Sequence, residues 1–373
     1  MSTTKSIAQQ KHKETNKLTL YMIGHAPDAK YLERLLNAIH GILEGVAFIS
    51  TDNSTACLDV LKKTGLPFIH DYHVFPKRED FNFSLVRNKA LKMANENFGG
   101  WLFWLDCDDF IENPDNILKL MSEHQDCIAY GLPYQVNERS GNLYKIRIHK
   151  DDFHWVNSVH EELMPIESGE KKHVKVLSEC PVKHMPDEDK GNHDFHISLL
   201  KKSSKTAASD YCYIAKEYFN SMQADEAIPW IKKAIAIHDY NHEIYNLYMM
   251  LGICYMIKDN FPLAEEAWLN GIKVSPYRKE GYYYLAEVYG KLGENENLYK
   301  GLGYISACTA QLDKGEPLQN NNIYNSLSYK LHARFLQKFQ KYEEALSVIE
   351  KVKTPDEESE QIKQELIDAC SKS

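Results

Sequence analysis

From about Lys201 to the C-terminus a single period organises the sequence. Ala215, Gly252 and Ala286 lie 37 and 34 residues apart, and each is followed three residues later by a tyrosine: Tyr218, Tyr255 and Tyr289. A small residue recurring at a fixed step marks a place where two helices approach closely. In the first two repeats a second small residue, Ala227 or Ala264, opens the packing face of a second helix. A further unit, "YKLHARFLQKFQKYEEALSVIEKV", sets Ala333 and Ala345 in the small positions after an insertion rich in Asn and Gly. One helical hairpin cannot bury its own apolar face, so about three must stack, and this chain has them. Its tyrosines, Tyr282, Tyr283 and Tyr284 among them, are expected in the repeat core, with a ligand-stacking surface as the alternative.

Before that point the rhythm differs. "LTLYMIG", "VAFIS", "LPFIH" and "WLFWL" read as strands, separated by helices in "DAKYLERLLNAIHGIL", "STACLDVLKKTG" and "FSLVRNKALKMANENFGG". Tyr31, Leu35, Ala38 and Ile42 mark one face of the first helix, while Ser54 caps the second and Gly65 ends it. Strands alternating with helices imply a parallel sheet covered on both faces, an α/β layer. After "DNILKLMSEH", the segments "CIAYGLPYQV" and "NLYKIRIHK" read as an antiparallel addition turned at residues 139–142. A chain of 373 residues exceeds one ordinary core. The expected division is a disordered tail over 1–17, an α/β domain over 18–200 and helical repeats over 201–373.

Composition narrows the partners. The most apolar windows, near 18–24 and 101–105, are too short to span a bilayer, and the N-terminus lacks the apolar run of a secretory signal. Eight scattered cysteines without a CxxC pair fit reduced thiols and a cytoplasmic location. A net charge of −9 with no Lys/Arg stripe disfavours nucleic acid. Seven of the 16 histidines crowd between His149 and His196.

The stretch "WLFWLDCDDFIENP" drives an apolar strand straight into Asp106, Asp108 and Asp109. Ligands of open α/β sheets sit beyond the carboxyl ends of strands. Asp106 and Asp108 leave the strand on one side, and two like charges held together are relieved by a divalent cation. The bland alternative is a solvated loop or a helix cap, a job that Pro114 and Asp115 already do. Asp109 is expected to support the loop. Ser84 is expected to cap the next helix upstream, placing Arg87 in its first turn, where an anion such as a diphosphate would dock. The alternative there is a surface pair with Asp80.

Two segments besides this one carry a resemblance. "DFNFSLVRNKAL" resembles D-F-S-x-x-R-N-x-A-L, "WLFWLDCDDFI" resembles W-x-x-x-L-D-A-D-E, and "RIHKDDFHWVNSVHEEL" resembles R-L-F-R…W-x-G-x-V-H-E-x-L. In this order they are similar to family 2 glycosyltransferases, in particular lipopolysaccharide-core glucosyltransferases and glycocin peptide S-glycosyltransferases. The third segment departs at Asn157 and Ser158, where Gly is usual. The resemblance covers about half the chain, and the helical period resembles tetratricopeptide repeats.

The resemblance implies a GT-A (Rossmann-like) nucleotide-sugar domain followed by an all-α tetratricopeptide-like array. It implies an inverting, metal-dependent transfer from a nucleotide-sugar donor, UDP-linked, to a glycan, peptide or protein acceptor. Asp106 would face the ribose or the metal shell, and Asp108 would ligate Mn2+ or Mg2+, with His184 or His160 as a further ligand. Glu161 would be the general base, with Glu162 pointing the opposite way. Asp52 would contact nucleobase or ribose, and Arg147 the phosphate or acceptor, either being replaceable by a solvated role. Asn88 would be a donor or a clamp, and Trp155 an acceptor platform or a core aromatic. A zinc site from His173, Cys180 and His184 is a minor alternative. The array would present the acceptor or pair two copies as a homodimer. The competing functions are a catalytically inactive repeat scaffold and an Asp-dependent phosphatase.

Overall fold

The computed structural model describes residues 17–135, 143–166, 173–185, 193–203, 208–315 and 319–371. The expected tail over 1–17, save its last residue, and the turn at 139–142 lie outside them. The described residues divide into two compact units between 185 and 193.

The first unit contains β1 (Leu18–Gly24), α1 (Ala29–Ile39), β2 (Leu43–Ser50), α2 (Ala56–Thr64), β3 (Phe68–Tyr72), α3 (Phe83–Asn97) and β4 (Trp101–Trp104). There follow β5 (Asp109–Ile111), α4 (Asp115–Glu123), β6 (Ala129–Gln135), β7 (Tyr144–His149), β8 (Phe153–Val156), β9 (Glu162–Pro165), β10 (Val174–Val176) and β11 (Val182–His184). Nine strands form one mixed sheet in the order β3-β2-β1-β4-β7-β6-β11-β5, with β10 also on β6. The first four are mutually parallel, and β7 runs antiparallel to β4 and β6. The strands β8 and β9 form a separate antiparallel hairpin.

Side-chain alternation sorts β1 between two layers. Leu18, Leu20 and Met22 join Leu32, Leu35, Leu36 and Phe48 on one face, whereas Tyr21 joins Val86, Ala90, Trp104 and Trp155 on the other. Each such fully buried side chain contributes about 1.5–3 kcal/mol. The buried stripe of α1 is Leu32, Leu35, Leu36 and Ile39, with Tyr31 and Ala38 only partly buried. The expected stripe was therefore rotated by part of a turn. Gly65 ends α2 at φ 72°, as its position predicts. Thr55, not Ser54, stands at the other end, and the Ser54 hydroxyl accepts from the Ala56 N–H at 3.1 Å.

The second unit is helical: α5 (His193–Ser203), α6 (Ala208–Asn220), α7 (Ala224–Ile237), α8 (Asn241–Ile257), α9 (Phe261–Val274), α10 (Glu280–Leu292), α11 (Asn295–Ala310), α12 (Ser328–Lys338), α13 (Tyr342–Ile349) and α14 (Glu357–Cys370). Helices α6/α7, α8/α9, α10/α11 and α12/α13 pack as successive hairpins, and α14 closes on α13. Ala215, Ala227, Ala264, Ala286, Ala333 and Ala345 are fully buried, as the period predicts. Gly252 faces Trp268 so closely that a Cβ would fall inside the indole. The helix α5 packs on α6, where His193 and His196 pair with Glu217 at 2.6 and 3.1 Å. It therefore belongs to the second unit, moving the boundary about ten residues earlier than expected.

Candidate functional site

Chain order reverses beside β1: β2 and β3 lie on one side, and the chain returns to β4 on the other. The carboxyl ends of β1 and β4 therefore flank a switch point, where open α/β sheets place their ligands. Asp106, Asp108 and Asp109 follow β4 there. Asp109 Oδ2 accepts the Asp106 N–H at 3.0 Å, the loop support expected of it. Asp109 also opens β5, a strand too short for the sequence pattern to reveal. Antiparallel pairing sets His184 of β11 directly opposite Asp109.

That register assembles a cluster. His184 Nδ1 lies 3.4 Å from Asp108 Oδ1 and 3.6 Å from Asp109 Oδ1, close enough for strong attraction. Asp108, Asp109 and His184 are the one such group among the described residues whose ligand atoms all lie within 4.8 Å of one another. Asp109 Oδ1 and His184 Nδ1 are buried without a hydrogen-bond partner among the described residues. Two hard oxygens, a borderline nitrogen and these unsatisfied atoms fit a divalent cation. Burial, with Asp106 and Asp109 adding repulsion against the pull of His184, pushes the Asp108 carboxyl up to about 6. Asp109 raises His184 above its ordinary value, burial opposing and the Asp108 charge assisting. The cluster brings in Asp109, which the sequence assigned only to the loop, while Asp106 and His160 are not among its members. The proposed zinc ligands do not gather either: the Cys180 thiol donates to the Asn113 carbonyl.

Arg87 corrects a second expectation. The helix α3 starts at Phe83 and is capped by Asn82, whose Oδ1 accepts from Leu85 N–H at 3.0 Å and from the Ser84 hydroxyl at 2.9 Å. Ser84 is therefore no cap, and Arg87 stands in the second turn, not at an anion-binding helix start. Its Nη2 donates to Asp106 Oδ1 at 2.5 Å and its Nε to Glu161 Oε1 at 2.6 Å. The guanidinium lies 5.1 and 4.9 Å from the Trp104 and Trp155 rings, and the residue is 5% exposed. Neither the diphosphate role nor the Asp80 surface pair describes this residue, which locks two carboxylates together. Burial alone would raise the Asp106 carboxyl, but Arg87, with Arg147 and Lys145, holds it well below the usual range.

Arg147 is fully buried, 3.1 Å from Asp109 Oδ2, with its guanidinium 3.8 Å from the Trp104 ring centre. Enclosed there, it presents no surface to a phosphate or an acceptor, contrary to the expected contact. Asp52 Oδ2 accepts the Ala26 N–H at 2.7 Å and Oδ1 the Ser54 N–H at 3.2 Å, so it joins the loops after β1 and β2. Asn88 clamps Trp155 from both sides, donating to its carbonyl and accepting its N–H. Trp155 is 3% exposed and packs edge-on against Trp104, a core aromatic rather than a platform. Between β8 and β9, Asn157 takes φ 65°, a conformation that favours Gly and that Asn tolerates, so the departure from Gly keeps the turn. The Ser158 carbonyl accepts the Phe83 N–H at 2.9 Å and fixes that turn to α3.

Lys145 went unnoticed in the sequence. It precedes Arg147 by two on β7 and so shares its face. Its Nζ lies 4.2 Å from the Tyr134 ring centre and 5.8 Å from that of Trp104. The signal was available: two cations spaced by two on a strand beside the acids.

Fold and site together define a mixed α/β unit with an acid–histidine cluster at its switch point, followed by a tetratricopeptide-like helical array. No family model matches the chain, and no curated protein matches it. Solved structures are similar to the helical half. One is the C-terminal part of a TPR repeat-containing protein from Cytophaga hutchinsonii, 13% identical, with 48% of this chain and 75% of that chain covered and a TM-score of 0.36. Another is YrrB, described as a TPR protein with an unusual peptide-binding site: 17% identical, 48% and 80% covered, TM-score 0.32. A third is TTC0263 from Thermus thermophilus, 14% identical, 48% and 92% covered, TM-score 0.31. The expectation of family 2 membership draws no support from them. Among the described residues no helix is long and apolar enough to cross a membrane.

Proposed function

We propose that the first unit is a metal-dependent, inverting glycosyltransferase using a UDP-linked nucleotide sugar, and that the helical array presents a glycan, peptide or protein acceptor. The observation that carries this is the convergence of Asp108, Asp109 and His184 at the end of β4, with Asp106 bridged by Arg87 to Glu161. Asp108, Asp109 and His184 would hold Mn2+ or Mg2+; a nitrogen in the set favours Mn2+. The cation, when bound, neutralises charge growing on the departing diphosphate. Arg87 fixes Glu161 through Oε1, leaving Oε2 to take the acceptor's proton. As that proton leaves, the acceptor bonds to the anomeric carbon and the bond to the diphosphate breaks, its electron pair departing with the phosphate oxygen.

A second reading, a binding scaffold without catalysis, has its own support in the array. A cavity of about 230 Å3 between α7, α8 and α9 is lined by Lys232, Ile235, Tyr248, Tyr255, Leu263 and Asn270. That mix of aromatic and polar walls suits a peptide side chain. UDP-sugar turnover with Mn2+ separates the readings. Asp108→Ala should abolish metal-dependent UDP binding, whereas Glu161→Gln should keep binding and lose transfer by about a hundredfold or more. Wild-type chain that neither turns over nor binds any common nucleotide sugar rules out the transferase and leaves the scaffold or the phosphatase. Hydrolysis of simple phosphate monoesters without nucleotide dependence would favour the phosphatase.

A further inference from the structure

Three cations back this site, and two are enclosed: the Arg147 nitrogens have no hydrogen-bond partner among the described residues, but none of its surface is exposed. Arg87 is bound to Asp106 and Glu161 and walled by two indoles, and Arg147 is closed against Asp109 with no exposed surface. Lys145 is half-buried; its ammonium makes no hydrogen bond or close ion pair among the described residues, but faces the Tyr134 and Trp104 rings and feels the charges of Asp106 and Asp109. The Tyr134 ring is a shared wall: Lys145 Nζ lies 4.2 Å from its centre, the Arg147 guanidinium 4.9 Å and the His184 ring 6.3 Å. The ammonium thus stands around the same ring as the candidate metal ligand.

We propose that Lys145 is the residue that binds the diphosphate of the nucleotide donor, in place of the two arginines; this rests on the nucleotide-sugar reading above. A half-buried ammonium held by ring faces and longer-range carboxylate charge keeps its N–H donors unused, and an arriving phosphoryl oxygen takes one in a charge-assisted hydrogen bond. Lysine suits the task, being a compact charge on a flexible stem that can reach past the fixed guanidiniums. The charge balance agrees. Asp106, Asp108, Asp109 and Glu161 face Arg87, Arg147 and Lys145, so a divalent cation leaves the site positive and ready for a multiply charged anion.

The test is calorimetric titration of the full chain with UDP, inorganic pyrophosphate and uridine, each in the presence of Mn2+. Lys145→Met should weaken UDP and pyrophosphate by roughly tenfold to a hundredfold and leave uridine unchanged. Its affinity for Mn2+ alone should stay within about twofold of wild type, and Lys145→Arg should recover most of the loss. If wild type binds UDP with Mn2+ and Lys145→Met binds it equally well, the inference falls and the glycosyltransferase reading stands. If wild type binds neither UDP nor pyrophosphate, both fall. Loss of Mn2+ binding in Lys145→Met, or an equal loss of UDP in Lys145→Arg, would show a packing role and overturn the inference.

Discussion

Arg87 touches Asp106, Glu161 and the faces of two tryptophans, and removing it would strand two carboxylates. Breaking a buried pair by deleting one partner costs about 3–5 kcal/mol. Arg87→Met should therefore lower stability by that amount in denaturant titration, and Arg87→Lys should not restore it. A single ammonium cannot offer Nε to Glu161 and Nη2 to Asp106 while stacking between indoles. A lysine variant as stable as wild type would refute the clamp. At this scale the sequence disclosed residue types better than partners. Asp106 and Asp108 stood out because an apolar strand ended in acids. Nothing local linked Arg87 to Glu161, which lies 74 residues away. A surface pair with Asp80 presumed exposure, because burial of an arginine depends on indoles contributed by other strands.

Elements repeat the lesson at longer range. Strands β1, β2 and β4 were legible because both their faces are apolar, and the repeats because small residues recur. The three-residue strands β5 and β11 were not, since a strand that short has too few alternations to register. Yet their pairing brings His184 to Asp109, so the cluster depends on the least legible elements. In the array, Gly252 is read from its period and explained by its neighbour. Gly252→Ala would drive a methyl into the Trp268 indole, a strain of about 1–3 kcal/mol. Trp268→Leu in the same chain should return part of that loss, a coupling that a double-mutant cycle measures. Strictly additive losses would place the strain elsewhere.

Both units carry a histidine that the fold keeps neutral. Burial pushes His149 down to about 4 against the hydrogen bond to the Lys150 carbonyl, and burial with the Lys351 charge does the same to His332. Unfolded histidine titrates near 6.5. The folded values are lower, so the stability is complete above about 6.5 and is lost as pH falls towards 4. Each contributes about 3 kcal/mol over that window. Denaturant midpoints measured at pH 7 and pH 4.5 should fall with acid for both units, and midpoints that stay level would contradict the assignment. One consequence concerns chain length. The run from Asp109 to His184 is closed at its ends by the β5–β11 register, and the β8–β9 hairpin lies within it. Doubling a flexible loop adds only about 0.6 kcal/mol of closure entropy. Loops inside that run can therefore lengthen to suit other molecules, while β6, β7 and the β5–β11 register still bring the same imidazole back to the same carboxylates.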